Sequence, residues 1–385
     1  MTEKPNLQLH IELTSACNSG CLDCNRFIKK TDILNPSVEI EWFTMDMMKN
    51  VFDDEMVKKV ANVNFTGTYG ESSLHPQFFE FLDFIAERVP HKVKIMMESN
   101  GGTHKPEWWE KLGKVLKEKF REDSFVVFAL DGIDDETHQK YRRGVKWEKV
   151  IENAKAFSKN ARTIWQMIEF EHNKHQFEEA KLMAESFGWE FKKRRSRLRF
   201  VGSAHGKVFN DKVEIKPTET KRKRYSKETL NASESDRTKV EAVLSSVSGD
   251  YQNETEIICE WKKKNQVSID YDGVVWQCCY FSTFLHPDFE MNNDSHNYNL
   301  NVEQRILHQM KKENMLWYEQ RYELDWNNIR FKTLSDVLSH EFFNHDLPKS
   351  FGNRLDSPEF PRIKRCAKHC GSASRKIEEL IHVEK

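Results

Sequence analysis

The sequence has no net excess of charge, no long apolar run, no hydrophobic leader and no cysteine between Cys24 and Cys259. Its 60 Lys and Arg residues are balanced by 61 Asp and Glu, for a formal charge of -1. The molecule as a whole is therefore not built to hold a polyanion, and nucleic acid is a disfavoured partner. No apolar stretch is long enough to span a bilayer, which leaves no membrane role to expect. The opening MTEKPNLQLH lacks the basic-then-apolar pattern of a secretory signal. Together these absences point to the cytoplasm, a reducing compartment where structural disulfides are rare. No internal repeat is visible. What remains is an ordinary globular composition, 38% hydrophobic and 31% charged, over 385 residues. That length accommodates one large domain and a smaller one.

In a reducing compartment the eight cysteines become informative. Cys17, Cys21 and Cys24 lie near the start, and Cys259, Cys278, Cys279, Cys366 and Cys370 near the end. Clustering of this kind points to metal ligation or redox chemistry rather than to covalent staples.

The first half alternates strand-like and helix-like segments. Leu7, Leu9, Ile11 and Leu13 alternate with polar residues and read as a strand. Residues 60–66, 92–98 and 125–130 read as three more, and residues 163–170 and 189–191 as weaker fifth and sixth strands. Residues 76–89, opened by Pro76, carry a helical apolar face, as do residues 106–120 and 147–157. Strands alternating with helices predict a parallel sheet, open or closed into a barrel. Chemistry in such folds gathers at the carboxyl ends of the strands.

The residues at those ends are distinctive. Cys17-x3-Cys21-x2-Cys24 follows the first strand. Three thiolates in a short loop can hold three irons of a [4Fe–4S] cluster and leave the fourth open. A zinc loop, or three unrelated cysteines, is the bland reading of the same residues. The spacing resembles that of the radical S-adenosylmethionine superfamily. The resemblance continues from strand end to strand end, over roughly residues 7 to 190. Thr66-Gly67-Thr68-Tyr69-Gly70-Glu71-Ser72 resembles the family's Gly-Gly-Glu-Pro segment, with Tyr69 in place of the first glycine and Ser72 in place of the proline. It implies that Gly70 lets backbone approach the ligand and that Glu71 accepts the methionine ammonium. Ser99-Asn100-Gly101 resembles a turn lining the ribose. Asp131-Gly132 and His138-x3-Arg142 resemble a segment whose arginine meets the methionine carboxylate, a role that the adjacent Arg143 also fits. One departure is Asp23, where the family usually has an aromatic residue before the third cysteine. The resemblance implies a [4Fe–4S] cluster on Cys17, Cys21 and Cys24 that chelates S-adenosylmethionine. One electron, delivered by a reducing protein such as a flavodoxin or ferredoxin, then cleaves it to a 5′-deoxyadenosyl radical.

At the other end, Cys259 precedes a strand-like stretch at residues 266–270, a turn at Asp272-Gly273 and the pair Cys278-Cys279, with Cys366-x3-Cys370 downstream. This layout resembles the twitch or SPASM extensions of the superfamily, which ligate auxiliary clusters. Five cysteines ligate one [4Fe–4S] cluster with one to spare. The expected ligands are Cys259, Cys278, Cys366 and Cys370, with Cys279 in place of Cys278 as the alternative, and a four-cysteine zinc knuckle as the bland reading. A spare Cys279 could donate a hydrogen atom to a substrate radical, as radical epimerases of the superfamily do. The plainer reading, a small structural side chain, is favoured.

Lys192, Lys193, Arg194, Arg195, Arg197 and Arg199 form a basic run, and residues 221–224 repeat the bias. A solvated face is the simple reading, and an acidic ligand the functional one. Arg197 and Arg199 could also point inward from the last strand. Residues 281–325 are polar and Asn-rich and read as an insertion, and the stretch around His286 and His296 reads as loop. The expected organisation is an α/β chain. A partial (β/α)6 TIM-like barrel (residues 1–200) leads through a polar basic linker (201–255) to a small α+β iron–sulfur-binding domain (256–385). The expected function is hydrogen-atom abstraction from a substrate carbon. Modification of a peptide or protein by crosslinking, epimerisation or oxidation is favoured over small-molecule dehydrogenation, decarboxylation or epimerisation. The few residues before Cys17 leave no room for an amino-terminal peptide-binding domain, which weakens a leader-peptide version. A zinc-stabilised nucleic-acid-binding protein is the non-enzymatic alternative.

Overall fold

The computed structural model describes residues 4–21, 24–27, 34–195, 251–282 and 302–372. Six strands run in parallel in chain order: β1 (Leu7–Ile11), β2 (Val60–Phe65), β3 (Lys94–Ser99), β4 (Phe125–Ala129), β5 (Arg162–Glu169) and β6 (Glu190–Arg195). The helices between them are α1 (Met45–Val51), α2 (Phe78–Arg88), α3 (Pro106–Lys119), α4 (Asp135–Gln139), α5 (Trp147–Ser158) and α6 (Phe177–Ser186). Each strand pairs with the next in sequence. Right-handed crossovers taken repeatedly in one direction put the helices on one face. That face holds the core, where Phe81, Leu82 and Ile85 of α2 and Trp109, Leu112 and Leu116 of α3 are buried.

The opposite face stays free for chemistry and is correspondingly polar. In β3, Ile95, Met97 and Ser99 are buried against the helices, while Lys94, Met96 and Glu98 alternate with them as half-buried residues. Arg194 of β6 meets Glu98 of β3 at 3.6 Å, although two strands lie between. On a flat sheet that spacing would be about 14 Å. The sheet is curled, and the pair spans its concave side. The barrel is unclosed.

The C-terminal residues extend this sheet. Strand β7 (Gln266–Ile269) pairs in parallel with β1, and β8 (Val275–Trp276) pairs antiparallel with β7 across the Asp272-Gly273 turn. The order is β6-β5-β4-β3-β2-β1-β7-β8. Short helices cover this edge: α7 (Tyr251–Glu254), α8 (Glu260–Lys263), α9 (Val302–Lys312), α10 (Leu316–Glu319), α11 (Leu334–Ser339), α12 (Leu347–Gly352) and α13 (Lys364–Cys370). The segment read as a polar insertion therefore contains helices α9 and α10. Most of the linker, the second basic run, Arg197, Arg199, His286 and His296 lie outside the described residues. No helix among the described residues is long and apolar enough to cross a membrane.

Candidate active site

The cysteine loop begins where β1 ends. Neighbouring strand ends hold it from three sides. Glu71 N–H donates to the Ala16 carbonyl at 2.8 Å, Asn100 Nδ2 to Asn18 Oδ1 at 2.8 Å, and Gly20 N–H to the Arg143 carbonyl at 2.8 Å. Within the loop, Ser19 joins two of the thiols: its N–H reaches Cys17 Sγ at 3.4 Å and its hydroxyl lies 3.0 Å from Cys21 Sγ. Burial pushes the Cys17 and Cys24 thiols up to about 12, against the opposing pull of Arg26. A thiol at such a site ionises only with a strong cation beside it, and a coordinated metal supplies that. The three cysteines fit an iron cluster on these grounds.

Glu71 lies at the heart of the loop after β2. Its Oε1 accepts from Ser73 N–H (3.3 Å), Ser73 Oγ (2.7 Å) and Ser99 Oγ (2.8 Å), and its Oε2 accepts from Asn100 N–H (2.8 Å). The carboxylate thus locks the end of β2 to the end of β3. Gly70 makes a close approach, but to protein: a Cβ there would lie 1.6 Å from the Thr14 carbonyl oxygen. Ser99 Oγ also receives Gly101 N–H, and Asn100 Oδ1 receives Gly102 N–H. Asn100 Nδ2 lies 3.7 Å from Cys17 Sγ.

After β4, Asp131 is fully buried and ion-paired to Arg142 (Nε to Oδ2, 2.7 Å), while its Oδ1 receives Ile168 N–H at 2.6 Å. Burial is the largest influence and opposes the charge of Arg142, but Asp131, Cys21 and Tyr141 together outweigh it and hold the guanidinium ionised. Arg142 therefore sits between Asp131 and the cysteine loop. Arg143 serves the site through its backbone, its carbonyl also accepting from Ser19 Oγ. His138 Nδ1 accepts from Asp131 N–H at 3.1 Å. Burial, then Arg142, drives this imidazole down to about 3, so it is neutral. Glu71, Ser99 and Asn100 thus form one hydrogen-bonded group at the cysteine loop, Asp131 and Arg142 form a second, and Gly70 packs on Thr14.

A second group of thiols forms at the C-terminal edge. Cys259, Cys278, Cys366 and Cys370 line one pocket, together with Phe281, Leu347 and Phe351. Cys259 and Cys370 are hydrogen-bonded, and this contact lowers Cys259 below its usual value and raises Cys370 above it. Cys279 is not among the lining residues, and its carbonyl accepts from Ser282 Oγ at 2.9 Å. Among the described residues no three Cys, His, Asp or Glu side chains are placed to hold a single metal ion. A cubane cluster spreads its thiolates wider than one ion does.

Sequence reasoning missed Glu12 and Asn173. Glu12 was read as one more polar residue alternating along a strand. Asn173 Nδ2 bridges the carbonyls of Asp131 (3.1 Å) and Ile168 (2.8 Å), a cross-link that only the fold reveals.

Residues 11–180 match the model of the radical SAM superfamily, from the end of β1 into α6. This stretch is a radical SAM domain, the domain of enzymes that use a [4Fe–4S] cluster with S-adenosylmethionine. The chain shares its fold with anSMEcpe solved with bound AdoMet, at 13% identity and a TM-score of 0.50, over 98% of this chain and 95% of that one. SuiB of Streptococcus suis matches at 16% identity and a TM-score of 0.43 over 72% of this chain, which spans 61% of the SuiB chain. SuiB bound to the precursor peptide SuiA matches at 14% identity and a TM-score of 0.46, over 95% and 76% of the two chains. Among curated proteins nothing matches.

Proposed function

We propose that this enzyme abstracts a hydrogen atom from a peptide or protein substrate, leaving a crosslink, an epimer or an oxidised residue. In this reading the C-terminal residues 256–385 hold an auxiliary [4Fe–4S] cluster on Cys259, Cys278, Cys366 and Cys370. A protein of the flavodoxin or ferredoxin type supplies the electron. When bound, the cluster on Cys17, Cys21 and Cys24 and its S-adenosylmethionine supply a 5′-deoxyadenosyl radical. The protein's own residues bind and orient. Glu71 and Arg142 offer a carboxylate and a guanidinium toward the two charged groups of methionine, Gly70 carries backbone to it, and Ser99, Asn100 and Asp131 brace them. Cys279 is the spare thiol, a structural residue first and a hydrogen-atom donor second.

The observation that carries the auxiliary cluster is the convergence of four thiols from three separate stretches of chain on one pocket, with Cys279 outside its lining. Two clusters give about eight irons per chain after anaerobic reconstitution. Replacing Cys259, Cys278, Cys366 and Cys370 together by Ala should leave about four. Zinc in the C-terminal pocket, or eight irons in the fourfold variant, would refute the assignment.

A further inference from the structure

Glu12, just past β1, is 2% exposed. Its Oε1 accepts the backbone N–H of Tyr69 at 2.5 Å and of Gly70 at 2.9 Å. One carboxyl oxygen thus holds the loop that carries Gly70 and Glu71. The other oxygen, Oε2, is buried without a hydrogen-bond partner. The adjacent strand brings up a second acid. Ile11 pairs with Ile269 and Glu12 N–H donates to the Ile269 carbonyl at 2.9 Å, which sets Asp270 beside Glu12. Asp270 is also 2% exposed, with Trp276 as its side-chain hydrogen-bonding neighbour.

An ionised carboxylate at this depth, with one oxygen unpaired and another acid alongside, is penalised by burial and by like charge, and a proton removes that penalty. The surrounding groups offer little relief. From the β7–β8 turn come Asp270, Tyr271 and Asp272, and from the loop after β2 comes Tyr69, whose ring meets that of Tyr271 at 6.0 Å. Glu41 faces Tyr271. Arg330 is ion-paired to Glu41 and donates its Nε to the Asp272 carbonyl. On β1 itself, His10 donates from Nε2 to the Thr66 carbonyl and is held neutral by burial.

We propose that Glu12 is the positioning residue of the S-adenosylmethionine loop and that it holds this loop in its protonated form. The proposal rests on the reading that Gly70 and Glu71 meet the methionine end of the cofactor. A proton on Oε2 turns an orphan acceptor into a donor beside the Asp270 carboxyl, while Oε1 keeps both loop N–H groups. Burial, opposed by those N–H groups, raises Glu12 from 4.5 to about 8. The folded protein then binds a proton that the unfolded chain has released. The resulting stability is complete below 4.5, declines as pH rises, and is gone above about 8.

The experiment measures S-adenosylmethionine affinity of the anaerobically reconstituted protein from pH 6.5 to 9, with amide hydrogen exchange over residues 66–72 in the absence of S-adenosylmethionine. In the wild type, affinity should fall about fivefold between pH 8 and 9, as the protonated fraction shrinks. Glu12→Gln, a neutral isostere, should match the wild type at pH 7 and stay flat to pH 9, with exchange still slow. Glu12→Ala should bind about tenfold more weakly at pH 7, losing the bond that orders the loop, and exchange Tyr69 and Gly70 rapidly. Wild-type affinity in Glu12→Ala, or the same pH slope in Glu12→Gln as in the wild type, overturns the proposal. If Glu12→Ala does not fold, the comparison of the Gln variant with the wild type decides alone. Glu71→Gln is the control: unchanged affinity there sinks the underlying cofactor reading, whereas weakened affinity there with inert Glu12 variants sinks only the role of Glu12.

Discussion

Replacing Glu71 by Gln exchanges one oxygen atom for an NH2 group at the most heavily hydrogen-bonded carboxylate of the site. Three donors converge on Oε1 and one on Oε2, so the amide oxygen takes the Oε1 side. The new NH2 then faces Asn100 N–H, donor against donor, in a position only 6% exposed. Leaving that N–H unpaired costs about 1–3 kcal/mol. The three bonds that survive lose their charge assistance, roughly a further 1 kcal/mol each before relaxation. A net destabilisation of about 3 kcal/mol is expected, since such terms add incompletely. The disturbance travels, because the Asn100 side chain touches both Asn18 and Cys17. Urea unfolding under anaerobic conditions reads the stability, and titration with S-adenosylmethionine reads the site, where a loss of roughly ten- to a hundredfold is expected. Iron content should be retained. A variant that unfolds at the wild-type urea midpoint and binds S-adenosylmethionine normally would refute the reasoning.

Other substitutions probe the rest of the site. Gly70→Ala drives a Cβ into the Thr14 carbonyl, which lies 1.6 Å from where it would sit. The loop must move, and a loss of about 3 kcal/mol or more in unfolding free energy, with weakened S-adenosylmethionine binding, is expected. Asp131→Asn strands the Arg142 charge at a site where its side chain is 15% exposed, which should cost about 3–5 kcal/mol in a denaturant titration. Arg142→Ala should weaken S-adenosylmethionine binding roughly ten- to a hundredfold by calorimetry while keeping its iron. Cys279→Ala should keep the full iron count, whereas Cys278→Ala should lose the auxiliary iron.

Much of this site was legible in the sequence because parallel α/β folds place chemistry at strand ends. Alternation along Leu7, Leu9 and Ile11 marked β1, and Pro106 opened α3 at its first position. Strand β6 was harder to read. Only residues 189–191 look strand-like, yet it runs through Lys192, Lys193 and Arg194 to Arg195. Its charges hide the pattern, since Arg194 reaches Glu98 across the concave face while Lys193 Nζ lies over the ring of Phe177. The placement of β7 was not legible, because pairing between residues 8–11 and 266–269 is non-local and leaves no local signature. The bracing by Gly70 and Glu71 was not legible. A motif points to a ligand, whereas the contacts these atoms make here brace protein against protein, as those of Glu12 do without any motif.

The central claim is that Cys17, Cys21 and Cys24 hold the cluster that cleaves S-adenosylmethionine. The direct measurement is 5′-deoxyadenosine formed by the anaerobically reconstituted protein on chemical reduction, analysed by chromatography. The wild-type chain should form it. The triple Ala variant of Cys17, Cys21 and Cys24 should form none, while retaining about four irons in its C-terminal pocket. Undiminished 5′-deoxyadenosine from the triple variant, or none from a wild type loaded with iron, would contradict the account.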